Sequence, residues 1–194
     1  MMTLWLFSAC GIVWAPAEPS ADTPAAAAPL APLPEDSLYR IPIPLTRADG
    51  SDAPLGVHRG HPTIISMFYA SCPTACPMLV SEIQSLEARM PEADRADLRV
   101  LLVSLDPARD DAAALTEAAG RYGVDTSRWV LTRTEPEHVR TLAALLSIRY
   151  RDLPDGEMNH SSILTALDRQ GRIVKQEEGL GRGHDGLLAA LVGI

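Results

Sequence analysis

The sequence predicts an α/β domain, a mixed central sheet flanked by helices with an N-terminal strand or hairpin extension. Three observations carry this. The runs at residues 64–69 and 98–105 are apolar almost without a break, as strands covered on both faces are. Each is followed by a segment whose apolar residues recur at helical spacing. Near the end, two short runs flank Asp168-Arg169-Gln170-Gly171, a hairpin signal, and a last helix follows, so strand–helix alternation gives way to antiparallel pairing. With 194 residues and 46% apolar side chains the chain can bury one core of its own, and it shows no internal repeat. A net charge of −8 with no basic stripe argues against nucleic acid as a partner.

Residues 1–15 include Leu4, Trp5, Leu6, Phe7, Ile12, Val13 and Trp14 and no charged side chain, the composition of an export or anchoring segment. They fall short of the roughly 20 residues of an ordinary span, and no Lys or Arg precedes them, so the natural start is expected further upstream. Phe7-Ser8-Ala9-Cys10 resembles a bacterial lipobox that would lipidate Cys10. A truncated membrane anchor is one alternative, and cleavage near Ala15-Pro16-Ala17 another, although the proline makes that a poor site. All three place the domain outside the cytoplasm, on the periplasmic side of a bacterial envelope. Residues 16–36 set Pro16, Pro19, Pro24, Pro29, Pro32 and Pro34 among alanines and read as an extended spacer that holds the domain off a membrane.

The folded domain is expected over residues 37–194. Residues 38–45 read as an edge strand, because Pro42 and Pro44 cannot donate to a ladder, and Asp49-Gly50 marks a turn. Residues 64–69 form the central strand, and residues 78–86 a helix with Pro77 in its first position. A second buried strand at 98–105 is followed by a helix at 110–122, a short strand at 128–131 and a helix at 135–147. Residues 161–167 and 172–175 make the hairpin, and 185–192 the closing helix.

Two of the three cysteines fall within five residues, in Cys72-Pro73-Thr74-Ala75-Cys76-Pro77, directly after the central strand. A buried strand that delivers a thiol pair to a helix N-terminus suits redox chemistry or a soft metal, since both need thiolates in an electropositive, partly open position. Pro73 and Pro77 bias both cysteines toward extended conformations, which makes the stretch between them a loop with the helix starting beyond it. A structural disulfide is the plain alternative, although so local a bridge removes little chain entropy. Structural zinc calls for four ligands. In an oxidising compartment the pair would close into a disulfide unless reduced or metallated.

His58, His61, His138, His160 and His184 compete for the place of a third ligand. His58 and His61 precede the central strand and belong at its opposite end. His160, in Met158-Asn159-His160-Ser161-Ser162 at the entrance to a strand, is placed to lie beside the cysteine loop. Two thiolates and one imidazole make a low-coordinate soft site that suits Cu(I) better than Mg, Ca or Mn. Met67, Met78 and Met158 read as packing residues, with a thioether from Met158 as a further option.

Three separated matches make the chain similar to the Sco/SenC family of copper-binding, thioredoxin-like proteins involved in cytochrome c oxidase assembly. They are Phe68-Tyr69-Ala70-Ser71-Cys72-Pro73-Thr74-Ala75-Cys76-Pro77, then Ser104-Leu105-Asp106-Pro107-Ala108-Arg109-Asp110, then His160-Ser161-Ser162 with Asp168-Arg169-Gln170-Gly171. Together they span residues 37–194 in the family's order. The resemblance implies a thioredoxin-like fold and copper, as Cu(I) with Cu(II) as a second state, bound by Cys72, Cys76 and His160. It also implies Asp106 near the site as a support; a strand-ending residue that caps the next helix is the plain reading of Asp106, and the two are compatible. Thr74 and Ala75 depart from the acidic or β-branched residues common between the family's cysteines. Residues 149–159 have no clear family match, so the loop presenting His160 is expected to differ.

The resemblance implies an envelope copper metallochaperone that delivers copper to the copper-bearing subunit of a respiratory cytochrome c oxidase and exchanges with other copper carriers. A monomer tethered to the membrane by its N-terminal anchor or lipid is expected. The alternative is a thiol-disulfide oxidoreductase that reduces the cysteines of that copper centre, with Cys72 attacking, Cys76 completing the pair and His160 dispensable. A copper or redox sensor is a third class, for which no dedicated surface stands out. A peroxidase is disfavoured, since no Pro-x-x-x-Thr-x-x-Cys run leads to Cys72.

Overall fold

The chain enters the fold through a single 3-10 turn, Leu38–Arg40, where a strand was expected. Ser37 sets the turn: its hydroxyl accepts the Tyr39 N–H at 3.2 Å and donates to the Gln170 carbonyl at 2.5 Å, while the Leu38 N–H reaches the Gly171 carbonyl at 2.9 Å. A local side-chain bond and a distant hairpin thus outweigh the apolar pattern. β1 (Pro44–Arg47) and β2 (Asp52–Pro54) follow as a hairpin around the expected Asp49-Gly50 turn. The structure, a computed structural model, describes residues 31–153 and 157–194, and the expectations for residues 1–30, Cys10 among them, lie outside the described residues.

β3 (Thr63–Phe68) is buried at every position, as its unbroken apolar run requires. α1 (Ala75–Arg89) and the short α2 (Glu92–Asp97) lead to β4 (Arg99–Ser104). α3 (Ala112–Tyr122), β5 (Trp129–Arg133) and α4 (Pro136–Leu145) complete the alternating part. β6 (Tyr150–Asp152) and β7 (Met158–His160) make a small hairpin, β8 (Ile163–Leu167) and β9 (Ile173–Glu178) a larger one, and α5 (Asp185–Leu191) closes the fold.

The helix after the cysteines begins earlier than the prolines suggest. Cys76 lies in the first turn of α1, not in a loop before it. Pro77 is tolerated there because first-turn N–H groups have no intrahelical partner to lose. Thr74, the residue at the cap, makes no side-chain bond, and the Cys76 N–H donates instead to Cys72 Sγ at 3.3 Å. A cysteine sulfur thus does the work of a helix cap.

The main sheet runs β2-β1-β5-β4-β3-β8-β9, with β3, β4 and β5 parallel and the other pairings antiparallel. Its centre packs Ile64, Ile65, Val100, Leu102 and Val103 with Leu79 and Ile83 of α1 and Leu115 of α3 in one buried cluster. α5 lies against β8 and β9. Phe68 stands opposite Ser104, and the Leu105 N–H donates to the Phe68 carbonyl at 2.7 Å, so the loops leaving β3 and β4 are neighbours. β8 runs back along β3, with the Ser66 hydroxyl bonded to the Ile163 carbonyl at 2.7 Å, which brings the residues before Ile163 to that same end.

Candidate metal centre

The loop after β3 turns at once, with the Cys72 N–H on the Tyr69 carbonyl at 3.2 Å, and passes both sulfurs to the start of α1. The hairpin β6–β7 delivers His160 from 84 residues further along, and Cys76 Sγ lies 3.9 Å from His160 Nε2. The two sulfurs and the ring nitrogen all lie within 4.8 Å of one another. Both thiols are free. His160 Nδ1 sits 3.2 Å from the Ser161 carbonyl, a contact that orients the ring with Nε2 toward the sulfurs.

The two thiols are unequal. Cys76 is fully buried and Cys72 keeps 7% of its surface. The Cys72 sulfur is held far below the ordinary thiol value, chiefly by accepting the Cys76 S–H, with smaller contributions from His160 and the amides of Cys76 and Thr74. The same bond and burial push Cys76 up. In the reduced pair Cys72 is therefore the sulfur favoured as thiolate and Cys76 the one favoured to keep its proton.

Tyr69 touches this centre from several sides. Its N–H points at Cys76 Sγ at 3.5 Å, and its ring meets the His160 ring edge-on, with centroids 5.9 Å apart and planes at 77°. Its hydroxyl donates to Glu157 Oε2 at 2.9 Å and lies 3.5 Å from the Met158 carbonyl. Burial, then Cys72, then Glu157 raise the phenol above its ordinary value, so it stays a donor. No feature of the sequence singles this tyrosine out from Phe68 beside it.

Asp106 is turned toward Arg109, with which it forms an ion pair, and is not among the three converging groups. The carboxylate facing the cysteine loop belongs to Asp110, which is 1% exposed. Its Oδ2 accepts the Ala70 N–H at 2.9 Å and the Ser104 hydroxyl at 2.5 Å. Arg121 donates to the Ala70 carbonyl at 2.5 Å, so side chains hold both backbone polar groups of Ala70, two residues before Cys72. Burial raises the Asp110 carboxyl above its usual range. The helix-capping role falls to Asp111, whose carboxylate accepts the Ala114 N–H at 2.9 Å.

His58 and His61 lie at the far end of β3. His58 Nε2 is 3.3 Å from the Val100 carbonyl and its pKa is lowered by burial to about 4, while His61 pairs with Asp97 at 2.5 Å. His184 is buried against Glu177 at 3.0 Å, and His138 is half-buried on α4. Met67 and Met158 are core residues. Met78 is not: it is 46% exposed, because the buried stripe of α1 runs through Cys76, Leu79, Val80, Ile83 and Leu86 and leaves position 78 on the outer face.

The SCO1/SenC family model matches residues 34–185 of the chain. The chain is 22% identical over 142 residues to the SCO1 protein homolog of Bacillus subtilis (strain 168), covering 72% of this chain and 73% of that protein. Its structure is similar to Arabidopsis thaliana ScoI with copper bound, with a TM-score of 0.68 and 20% identity over 78% of this chain and 96% of that one. It is also similar to BsSco, described as a member of the Sco family of cytochrome c oxidase assembly proteins in which a disulfide switch was identified. That match has a TM-score of 0.66 and 19% identity over 78% of this chain and 90% of that one. At these identities the likeness establishes the fold, the thioredoxin-like mixed sheet flanked by helices of the Sco structures.

Proposed function

The chain belongs to the SCO1/SenC family, and from that premise we propose that it is a copper metallochaperone of the cell envelope. In this reading Cys72, Cys76 and His160 hold Cu(I), with Cu(II) as a second state, and pass it by ligand exchange to the copper-bearing subunit of a respiratory cytochrome c oxidase. The observation that carries it is the convergence of two sulfurs and one imidazole nitrogen within 4.8 Å, with no hard oxygen donor among them. Such a donor set prefers a soft, low-coordinate cation. Cys76 gives up its proton on binding, so uptake releases acid and weakens as pH falls. Half-burial of His160 leaves a side from which an acceptor's ligand can enter.

The apolar residues 1–15 and the proline-rich spacer support a tether on the periplasmic side of a bacterial membrane, with the domain acting as a monomer. Among the described residues no helix is long and apolar enough to cross a membrane.

One observation favours a second reading. A thiolate at Cys72 backed by a protonated, buried Cys76 is the arrangement of a dithiol reductant. Cys72 would attack a target disulfide, form a mixed disulfide and release one target thiolate. Cys76 would then lose its proton, attack Cys72 Sγ and release the second, passing two electrons to the target.

Anaerobic titration of the reduced protein with Cu(I) against a chromophoric chelator separates the two. The chaperone reading expects one equivalent bound, no binding in Cys72→Ser/Cys76→Ser, and at least tenfold weaker binding in His160→Ala, which is about 1.4 kcal/mol. Copper binding that is weak or indifferent to His160, together with reduction of a disulfide substrate, would move the assignment to the reductase.

A further inference from the structure

We propose that Tyr69 is a positioning residue, whose hydroxyl latches the histidine-bearing hairpin to the cysteine loop and so sets how readily His160 leaves the sulfurs. This rests on the copper reading for its consequence and on geometry alone for the latch. Among the described residues β6 and β7 pair with each other and not with the main sheet, so no strand ladder fixes β7 beside the cysteines. Tyr69 follows β3 directly and is 3% exposed, anchored in the core. From that anchor its hydroxyl reaches Glu157 Oε2 at 2.9 Å and the Met158 carbonyl at 3.5 Å, three and two residues before His160. Its ring supports the His160 ring edge-on, and its N–H points at Cys76 Sγ. One residue therefore contacts a sulfur ligand, the imidazole ligand and the strand that carries the imidazole.

A phenol bonded to a carboxylate is a charge-assisted hydrogen bond, stronger than a neutral one. Glu157 is exposed, so this part-buried bond has its carboxylate end at the surface and can open from that side. With the latch closed, His160 Nε2 stays near Cys76 Sγ. With it open, the hairpin can carry His160 away and leave copper on two sulfurs, open to an incoming ligand. Tyr69→Phe keeps the ring and its packing and removes the hydroxyl, with it the latch and the hydroxyl's interaction with Cys72, whereas Glu157→Ala removes the latch and keeps the hydroxyl.

The test uses the full chain carrying Cys10→Ser, so that two thiols remain, with Tyr69→Phe, His160→Ala, the double variant and Glu157→Ala. In the reduced, metal-free protein, amide hydrogen exchange at residues 157–160 should speed up about tenfold in Tyr69→Phe and in Glu157→Ala, while amides of β3 and β4 keep their protection. Glu157→Ala opens the latch from its exposed side, so the proposal remains testable if Tyr69→Phe folds poorly. Stopped-flow transfer of Cu(I) to a chelator should be about tenfold faster in Tyr69→Phe, and the hydroxyl's removal should change nothing once His160 is absent. Unchanged exchange at 157–160, or equal acceleration with and without His160, overturns the proposal. A protein that takes up no Cu(I) overturns the copper reading, and the exchange measurement then still decides the latch.

Discussion

Cys72 and Cys76 stand four residues apart and have opposite acid–base character, because one is the acceptor and the other the donor of a shared proton. Alkylation by iodoacetamide, followed by peptide mass spectrometry, should label Cys72 at a rate that stays nearly level from about pH 8 to about pH 5, with Cys76 spared. An ordinary thiol, with a pKa of about 8.5, loses about tenfold per unit over that span. Cys76, raised by the same interaction, opposes Cys72 in the pH dependence of the reduced fold; for Cys72 itself the contribution is that of a depressed group, present above its unfolded value and lost as pH falls through its folded one. Asp110 has the opposite sign. Its carboxyl is raised, so its contribution is present in acid and lost as pH rises. Asp110→Asn keeps an acceptor without the titration, and its unfolding midpoint in denaturant should gain on the wild type between about pH 4 and pH 7. A constant difference across that interval would remove burial as the cause. The cysteine pair is legible in the sequence, because its spacing and its place after a buried strand are local facts. Asp110 is not: Asp106 and Asp110 stand in one motif, and only the turn between them decides which carboxylate is buried.

Elements formed as their patterns require wherever an apolar run or stripe is long. β3, β4, α3 and α5 lie within two residues of expectation. The differences fall on the two ends of α1, which runs beyond residues 78–86 in both directions, and on short pieces that carry too little apolar pattern to announce themselves. α2 buries no residue and so has no apolar face to announce it, and β2, β6 and β7 each have three residues. The N-terminal 3-10 turn depends on the hairpin between β8 and β9, where a Cβ at Gly171 would stand 2.5 Å from the Tyr39 ring. Gly171 also has φ +81°, whereas Gly123, which ends α3 at φ +61°, has open space around it. Gly123→Ala should therefore cost only backbone strain, about 1–2 kcal/mol. Gly171→Ala adds overpacking and should cost about 2–5 kcal/mol. Urea unfolding of both variants checks the order, and equal losses would show that the Tyr39 contact yields without cost.

At the scale of the molecule, the candidate ligands meet because of strand direction. β3 and β4 end together, and β8 returns antiparallel to β3, so residues 72–76 and residue 160 arrive at one end of the sheet while His58 and His61 are carried to the other. A metal bound across that junction favours the folded chain by mass action. With free Cu(I) at about 1,000 times its Kd the gain is about 4 kcal/mol, which in a domain of this size should raise Tm by about 8–16 °C. Anaerobic calorimetry should show that rise in the reduced wild type and none in Cys72→Ser/Cys76→Ser; a rise in both would place the metal elsewhere. The sequence by itself determined the α/β class, the long elements, the thiol pair and the choice of His160 among five histidines, because each is written in residues near one another or in a motif of fixed order. Only the tertiary structure decided that Cys72 caps α1, that Asp110 and Arg121 hold the N–H and carbonyl of Ala70, and that Tyr69 bridges the cysteine loop to β7. The cap joins residues only four apart and depends on the turn between them, whereas the Ala70 and Tyr69 contacts join segments 40 to 89 residues apart, and no local pattern records which side chains a closed sheet will bring face to face.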